Sequence, residues 1–237
     1  MIVDHTNRRV LDVLENRDKN TVVQYLHTRK EQGLLAQVEE VTCDMWDGYV
    51  GAAQEVFGAA IRITIDRFHV MKNFQEQLTA ARRELQRSLS VDEAVALKGT
   101  RWLWVTNWDN LTPEQQQTLR ALQERFPLLK QLAEQRERLR ELFEDRTIRN
   151  AAVGQQRLQA WMAEARKLGL AGLERFCKTL THWLDKIANY FVSRSSNGRT
   201  EGFNHGLRSI LWRAFGMVNF AHFRLRVLDR FGKPASS

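Results

Sequence analysis

Two short segments, each alternating apolar and polar residues and each ending on an aspartate, constrain this chain more than anything else in it. Val38-Glu-Glu-Val-Thr-Cys-Asp44 and Ala60-Ile-Arg-Ile-Thr-Ile-Asp66 have the period of two expected of strands with a buried face. Between them, Trp46 to Phe57 has room for about three helical turns, with Tyr49, Ala52, Ala53, Val56 and Phe57 at helical spacing. A strand–helix–strand unit of this size is a crossover, so its strands run parallel and both aspartates end on one edge of one sheet. Ligands and catalysis gather on that edge in open α/β sheets. Asp44 is therefore the first candidate functional residue and Asp66 its competitor. Asp47, one turn into the helix, reads as an acid interacting with the helix dipole.

Upstream, Met1-Ile-Val3 and Arg9-Val-Leu-Asp-Val-Leu14 read as a hairpin turned at Asp4 to Arg8. Asp18 is placed to cap a helix from about Lys19 to Gln32, with Val22, Val23, Tyr25 and Leu26 inward and Gly33 as its stop. The predicted order is β-β-α-β-α-β, an α/β pattern with one antiparallel piece. From Val70 to about Tyr190 the period becomes helical, with apolar positions such as Leu128, Leu129, Leu132, Leu139, Leu142 and Phe143 and charge on the other faces. Thr112-Pro113-Glu114 and Phe126-Pro127 read as helix starts, and Gly154 and Gly169 as ends or bends.

Charge separates these regions. Residues 1–69 carry 8 Lys and Arg against 11 Asp and Glu, residues 70–189 carry 20 against 15, and residues 190–237 carry 8 against 2. An acidic strand unit flanked by basic helices suits metal-dependent chemistry on nucleic acid, with carboxylates for cations and a positive rim for phosphates. Basic helices alone give the same count. Cys43 and Cys177 lie too far apart for a CxxC zinc site and read as buried thiols. Apolar runs are short and broken by charge, so neither a signal peptide nor a membrane span is predicted, and a cytoplasmic location follows by default.

The end of the chain holds a second cluster. A small polar run, Ser193-Arg-Ser-Ser-Asn-Gly198, can cap a helix on which Glu201, Asn204, His205 and Arg208 fall along one stripe. Gly202 and Gly206 each weaken a helix by about 1 kcal/mol relative to Ala, which points to close approach of a sheet or a phosphate backbone. Leu207, Ile210, Leu211 and Phe215 supply the apolar face, and Arg213, Arg224, Arg226 and Arg230 continue the positive character. Earlier, Arg101-Trp102-Leu-Trp104-Val-Thr-Asn-Trp108 concentrates three tryptophans. They read either as core anchors of a helical bundle or as platforms on which a nucleobase stacks.

Cys43-Asp-Met-Trp-Asp-Gly-Tyr49, Asp66-Arg-Phe-His69-Val-Met-Lys-Asn73, Trp108-Asp-Asn-Leu-Thr112 and Ser196-Asn-Gly-Arg-Thr-Glu201-Gly-Phe-Asn204 together resemble the DDE transposases of the ISL3 group of bacterial insertion sequences. The resemblance runs through nearly the whole chain. It implies an RNase H-like catalytic core interrupted by a large all-helical insertion. Residues 1–75 would belong to the core, 76–190 to the insertion, and 191–237 to the core helices that carry the catalytic glutamate. By the same resemblance Asp44 would be the second catalytic aspartate and Glu201 the glutamate, together holding Mg²⁺ or Mn²⁺ in a two-metal site. Asp66 and His69 match the D-x-x-H element that follows, as support; a core histidine is the plainer reading of His69. Asn204 and His205 would support the site, and Arg199, Arg208, Arg213, Trp102 and Trp104 would meet DNA.

The implied partners are insertion-sequence ends and target DNA, with a homo-oligomer as the active assembly near the nucleoid. Members of the group also carry an N-terminal DNA-binding region and a strand bearing the first catalytic aspartate. This sequence starts within what would be the second strand, and Asp4 falls at the hairpin turn. The expectation is therefore an N-terminally truncated transposase with an incomplete core, inactive alone. The alternative is a non-catalytic DNA-binding or transposase-interacting remnant.

Overall fold

The computed structural model describes residues 1–195, 198–214 and 219–233, with Arg199 and Glu201 described by their backbone only. The chain divides into two compact units, Met1–Asp66 with Ser195–Ser237, and Arg67–Arg194. The expected insertion, 76–190, falls inside the second unit, which starts at the first residue after Asp66.

In the first unit β1 (Ile2–Asp4) and β2 (Arg9–Asp12) pair antiparallel. Asp4 closes their turn by accepting from the Asn7 backbone N–H at 2.9 Å and its side-chain amide at 2.7 Å. Helix α1 (Lys19–Glu31) begins where Asp18 accepts from the Thr21 N–H at 2.9 Å. It stops at Gly33, whose φ of 74° lets Leu34 and Gly33 return hydrogen bonds to the carbonyls of Arg29 and Lys30. Strand β3 (Glu40–Cys43), α2 (Asp47–Phe57) and β4 (Arg62–Ile65) form the crossover, with β3 and β4 parallel in the register Cys43 to Ile65. The element order and the parallel pairing are those the residue alternation predicts. Among the described residues β1–β2 and β3–β4 remain two separate two-stranded sheets.

The second unit is helical. It runs through α3 (Arg67–Ser88), α4 (Val91–Leu97), α5 (Arg101–Val105), α6 (Pro113–Arg125), α7 (Pro127–Glu144), α8 (Ala151–Arg166), α9 (Ala171–His182), α10 (Leu184–Ala188) and α11 (Tyr190–Ser193). Thr112 and Gln115 form a capping box ahead of Pro113, and Pro127 opens α7. Phe74 of α3 is fully buried, with Phe176 at 5.1 Å and Trp161 at 5.8 Å between ring centres, both edge-on. Leu129, Leu132, Leu139 and Phe143 give α7 its buried stripe. Gly169, at φ 65°, follows α8 as expected of an end. Gly154 instead lies inside α8, where a Cβ would overlap the buried Phe191 ring.

The two ends of this unit meet. Arg67 lies over the Tyr190 ring at 5.7 Å and Arg194 over the same ring at 5.3 Å. Arg194 also donates to the carbonyls of Phe143 at 2.8 Å, Asp145 at 2.6 Å and Ile148 at 2.5 Å, satisfying acceptors left over at the end of α7.

Back in the first unit, α12 (Gly198–Arg213) and α13 (Phe220–Phe231) close a core of Val10, Val13, Ile210, Phe223 and Val227, flanked by Phe203, Leu207 and Phe231. Leu211, expected on the apolar face, is exposed, and Phe215 lies outside the described residues. Arg224 is not part of a free basic surface. It holds the buried Asp12 in a two-pronged pair at 2.5 and 2.7 Å, and Arg29 adds a third donor at 3.4 Å.

Candidate functional site

The site is built on the last residues of β3 and β4. Beyond the register pair Cys43 and Ile65, the Asp66 N–H still donates to the Cys43 carbonyl at 3.3 Å, so Asp44 and Asp66 follow paired residues at the carboxyl edge. Alternation along a strand sends Glu40, Thr42 and Asp44 to one face, and Thr64 and Asp66 in β4 to the same face. Ile63 and Ile65 fill the other. Ile63, Thr64 and Ile65 of β4 and the following Asp66 are buried, Asp66 completely at 0% exposure, so a polar layer lies inside the unit. Asp44, at its rim, is only half buried.

The chain leaves β3 through a turn held from both sides. The Trp46 N–H returns to the Asp44 carbonyl at 2.8 Å. The Trp46 indole folds over Gly48, where any Cβ would overlap it, and meets the Tyr49 ring edge-on at 4.5 Å. Burial pushes the Tyr49 phenol up, and the Asp44 carboxylate pushes it the same way. Sequence spacing places Tyr49 on the inner face of α2 but assigns Gly48 no role; a glycine two residues after a tryptophan is the signal for the indole's seat.

Two hydrogen bonds tie the chain around the start of α12 to the strand-bearing part of this unit, one at β3 and one beside β1. Ser195 Oγ donates to Glu40 Oε2 at 3.1 Å, on the polar face, and Thr64 Oγ1 donates to the other Glu40 oxygen. Thr200 Oγ1 and His5 Nε2 are 3.3 Å apart, next to the end of β1. The side chain of Glu201, and that of Arg199, lie outside the described residues. Among the described residues no group of three or more His, Cys, Asp or Glu side chains is placed to hold a metal ion.

The other expected site residues are spread between the units. On α12 Asn204 is half buried, while His205, Arg208 and Arg213 are exposed. His69 is half buried in the first turn of α3, with its ring 5.5 Å from that of Phe68. Trp102 is 66% exposed with Arg101 over its ring at 4.7 Å. Trp104 is a correction to the DNA-contact expectation. It is 2% exposed, with its indole N–H on Thr100 Oγ1 at 3.3 Å, so it is a core anchor.

Comparison with known proteins covers almost all of the chain. Residues 1–227 match the model of the ISL3-type DDE family, described as transposase. The chain is 27% identical over 237 residues to the transposase for insertion sequence element IS1001 of Bordetella parapertussis, a match covering 98% of this chain and 56% of that protein. It thus spans a little over half the length of the curated relative it matches. No solved structure matches, and no helix among the described residues is long and apolar enough to cross a membrane.

Proposed function

Because the chain belongs to the ISL3 family of DDE transposases, we propose that it forms an RNase H-like core for metal-dependent cleavage and strand transfer at insertion-sequence ends. DNA is its partner and a homo-oligomer its working assembly. The observation that carries the reading is the paired strand end. Asp44 and Asp66 follow in-register residues of two parallel strands, on the face that Ser195 reaches through Glu40. Asp44 and Glu201 hold the metal in this reading. Asp66, His69, Asn204 and His205 support them, and Arg199, Arg208, Arg213 and Trp102 face DNA.

Carboxylate oxygens are the hard donors that Mg²⁺ and Mn²⁺ take, so the donor chemistry at the strand ends fits such an ion. A divalent ion there supplies Lewis acidity for phosphodiester cleavage. The chain itself fixes the carboxylate. The return of the Trp46 N–H to the Asp44 carbonyl and the seat of the indole on Gly48 restrict how the turn at Asp44 can move. A helical unit whose ends meet at Tyr190 is what an insertion into a loop requires.

A second reading, DNA binding or association with a longer transposase without cutting, is favoured by Asp4. This acid is engaged in its turn by Asn7 and, at 3.4 Å, by Arg9, rather than offered to a metal. Incubating the purified chain with Mg²⁺ or Mn²⁺ and insertion-sequence end DNA separates the readings. Cleavage abolished by Asp44→Asn and by Glu201→Gln supports the nuclease core. Cleavage that Asp44→Asn leaves untouched removes the assignment, and salt-sensitive binding without cutting supports the second reading.

A further inference from the structure

Helix α12 turns one face to the core and leaves the opposite face exposed among the described residues. Phe203, Leu207 and Ile210 point inward. On the far side Gly202, His205, Arg208 and Trp212 are all exposed, Trp212 at 84%. At 100° per residue, positions 201, 205, 208 and 212 fall on one stripe, spaced i, i+4, i+7 and i+11. The stripe that begins at the candidate glutamate therefore runs on past Arg208 to a tryptophan.

Three features of the stripe and its exposed flank call for an outside partner. Gly206 is explained by packing, because a Cβ there would overlap Phe231 of α13, but a Cβ at Gly202 would meet none of the described side chains within 4 Å. An exposed helix interior gains about 1 kcal/mol from alanine over glycine, so glycine at 202 runs against the helix's own preference. Arg208 and Arg213 have no ion-pair partner among the described residues, in contrast to Arg224, which is held by Asp12. Trp212 presents a flat aromatic surface to solvent beside those two cations. Residues 190–237 carry 8 Lys and Arg against 2 Asp and Glu, so the charge complement is a polyanion.

We infer that this face of α12 is a track for one DNA strand leaving the candidate cleavage site, in which the bare Gly202 backbone admits the sugar-phosphate chain, Arg208 pairs a phosphate and Trp212 stacks on an unpaired base. The inference rests on the DNA-processing reading above. Indole-on-base stacking requires a base out of the duplex and is tolerant of sequence. A rise of 1.5 Å per residue sets Trp212 about 16 Å along the axis from position 201. That is roughly five nucleotides at the 3.4 Å spacing of a stacked strand.

Fluorescence anisotropy of the full chain with a labelled oligothymidine and with a labelled duplex of equal length, at several salt concentrations, tests this. Trp212→Ala is expected to weaken oligothymidine binding about ten-fold and duplex binding less than two-fold, and Trp212→Phe to keep most of the affinity. Arg208→Gln is expected to reduce the log–log salt slope on the single strand by about 0.7. Trp212→Ala leaving oligothymidine affinity within two-fold overturns the inference while the DNA reading stands. So does a change in sedimentation of the free protein with unchanged DNA affinity, which would make Trp212 a protein contact. A wild-type chain that binds neither DNA overturns the inference together with the reading beneath it.

Discussion

Asp12 is the residue on which the first unit is tied together. Burial raises its carboxyl, but hydrogen bonds from Arg224 and from the Val13 N–H, the Arg224 charge and a bond from Arg29 outweigh that and hold it below its usual value. An acid held low in the native state takes up its proton earlier in the unfolded chain. Its stabilisation is therefore whole above the unfolded value of about 3.9 and drains as pH falls through the native one. Asp12→Asn is expected to lower stability in urea titrations at pH 7 by about 2–3 kcal/mol. The loss should shrink toward pH 3. Nothing local announces this pair, because Asp12 and Arg224 are 212 residues apart and Arg224 reads as one more basic residue in a basic tail. By contrast the Asp18 cap and the Thr112 capping box were legible, because cap, first turn and helix are neighbours in the chain.

Elements show where local pattern runs out. Gly154 and Gly202 both sit inside helices and have the same sequence signature, yet their surroundings call for opposite outcomes. Gly154→Ala drives a methyl into the buried Phe191 ring, and denaturant melts should show a loss of about 1–3 kcal/mol. Gly202→Ala meets open space and should raise stability by up to about 1 kcal/mol while weakening single-strand DNA binding. A destabilising Gly202→Ala would instead mean that a side chain packs against this position. Likewise Arg194, unremarkable in sequence, closes the end of α7 by serving three carbonyls. Arg194→Gln should cost on the order of 2–3 kcal/mol, read as an earlier loss of helical ellipticity on heating. The strand pair β3–β4 was foreseeable from its alternation, whereas the burial of Thr64 and Asp66 beside Ile63 and Ile65 was not, since alternation requires only one buried face.

At the scale of the whole molecule the second unit has its own aromatic core, around Phe74, Trp161 and Phe176, and ends that meet at Tyr190. Residues 67–194 expressed alone should therefore fold, giving a helical spectrum and one cooperative thermal transition; a broad, non-cooperative melt would show that the first unit is needed to hold it. The amino-acid order alone determined the class of each element, the parallel pairing and the placing of two aspartates on one strand edge. Those properties follow from periodicity, capping and crossover length, all of which act over a few residues. Only the tertiary structure decided that Trp104 belongs to the core while Trp212 faces solvent, that Arg224 is a structural partner while Arg208 is not, and which glycine is crowded. Each of those outcomes depends on what a side chain meets from a distant part of the chain, and burial and electrostatic pairing are properties of that meeting rather than of the residue itself.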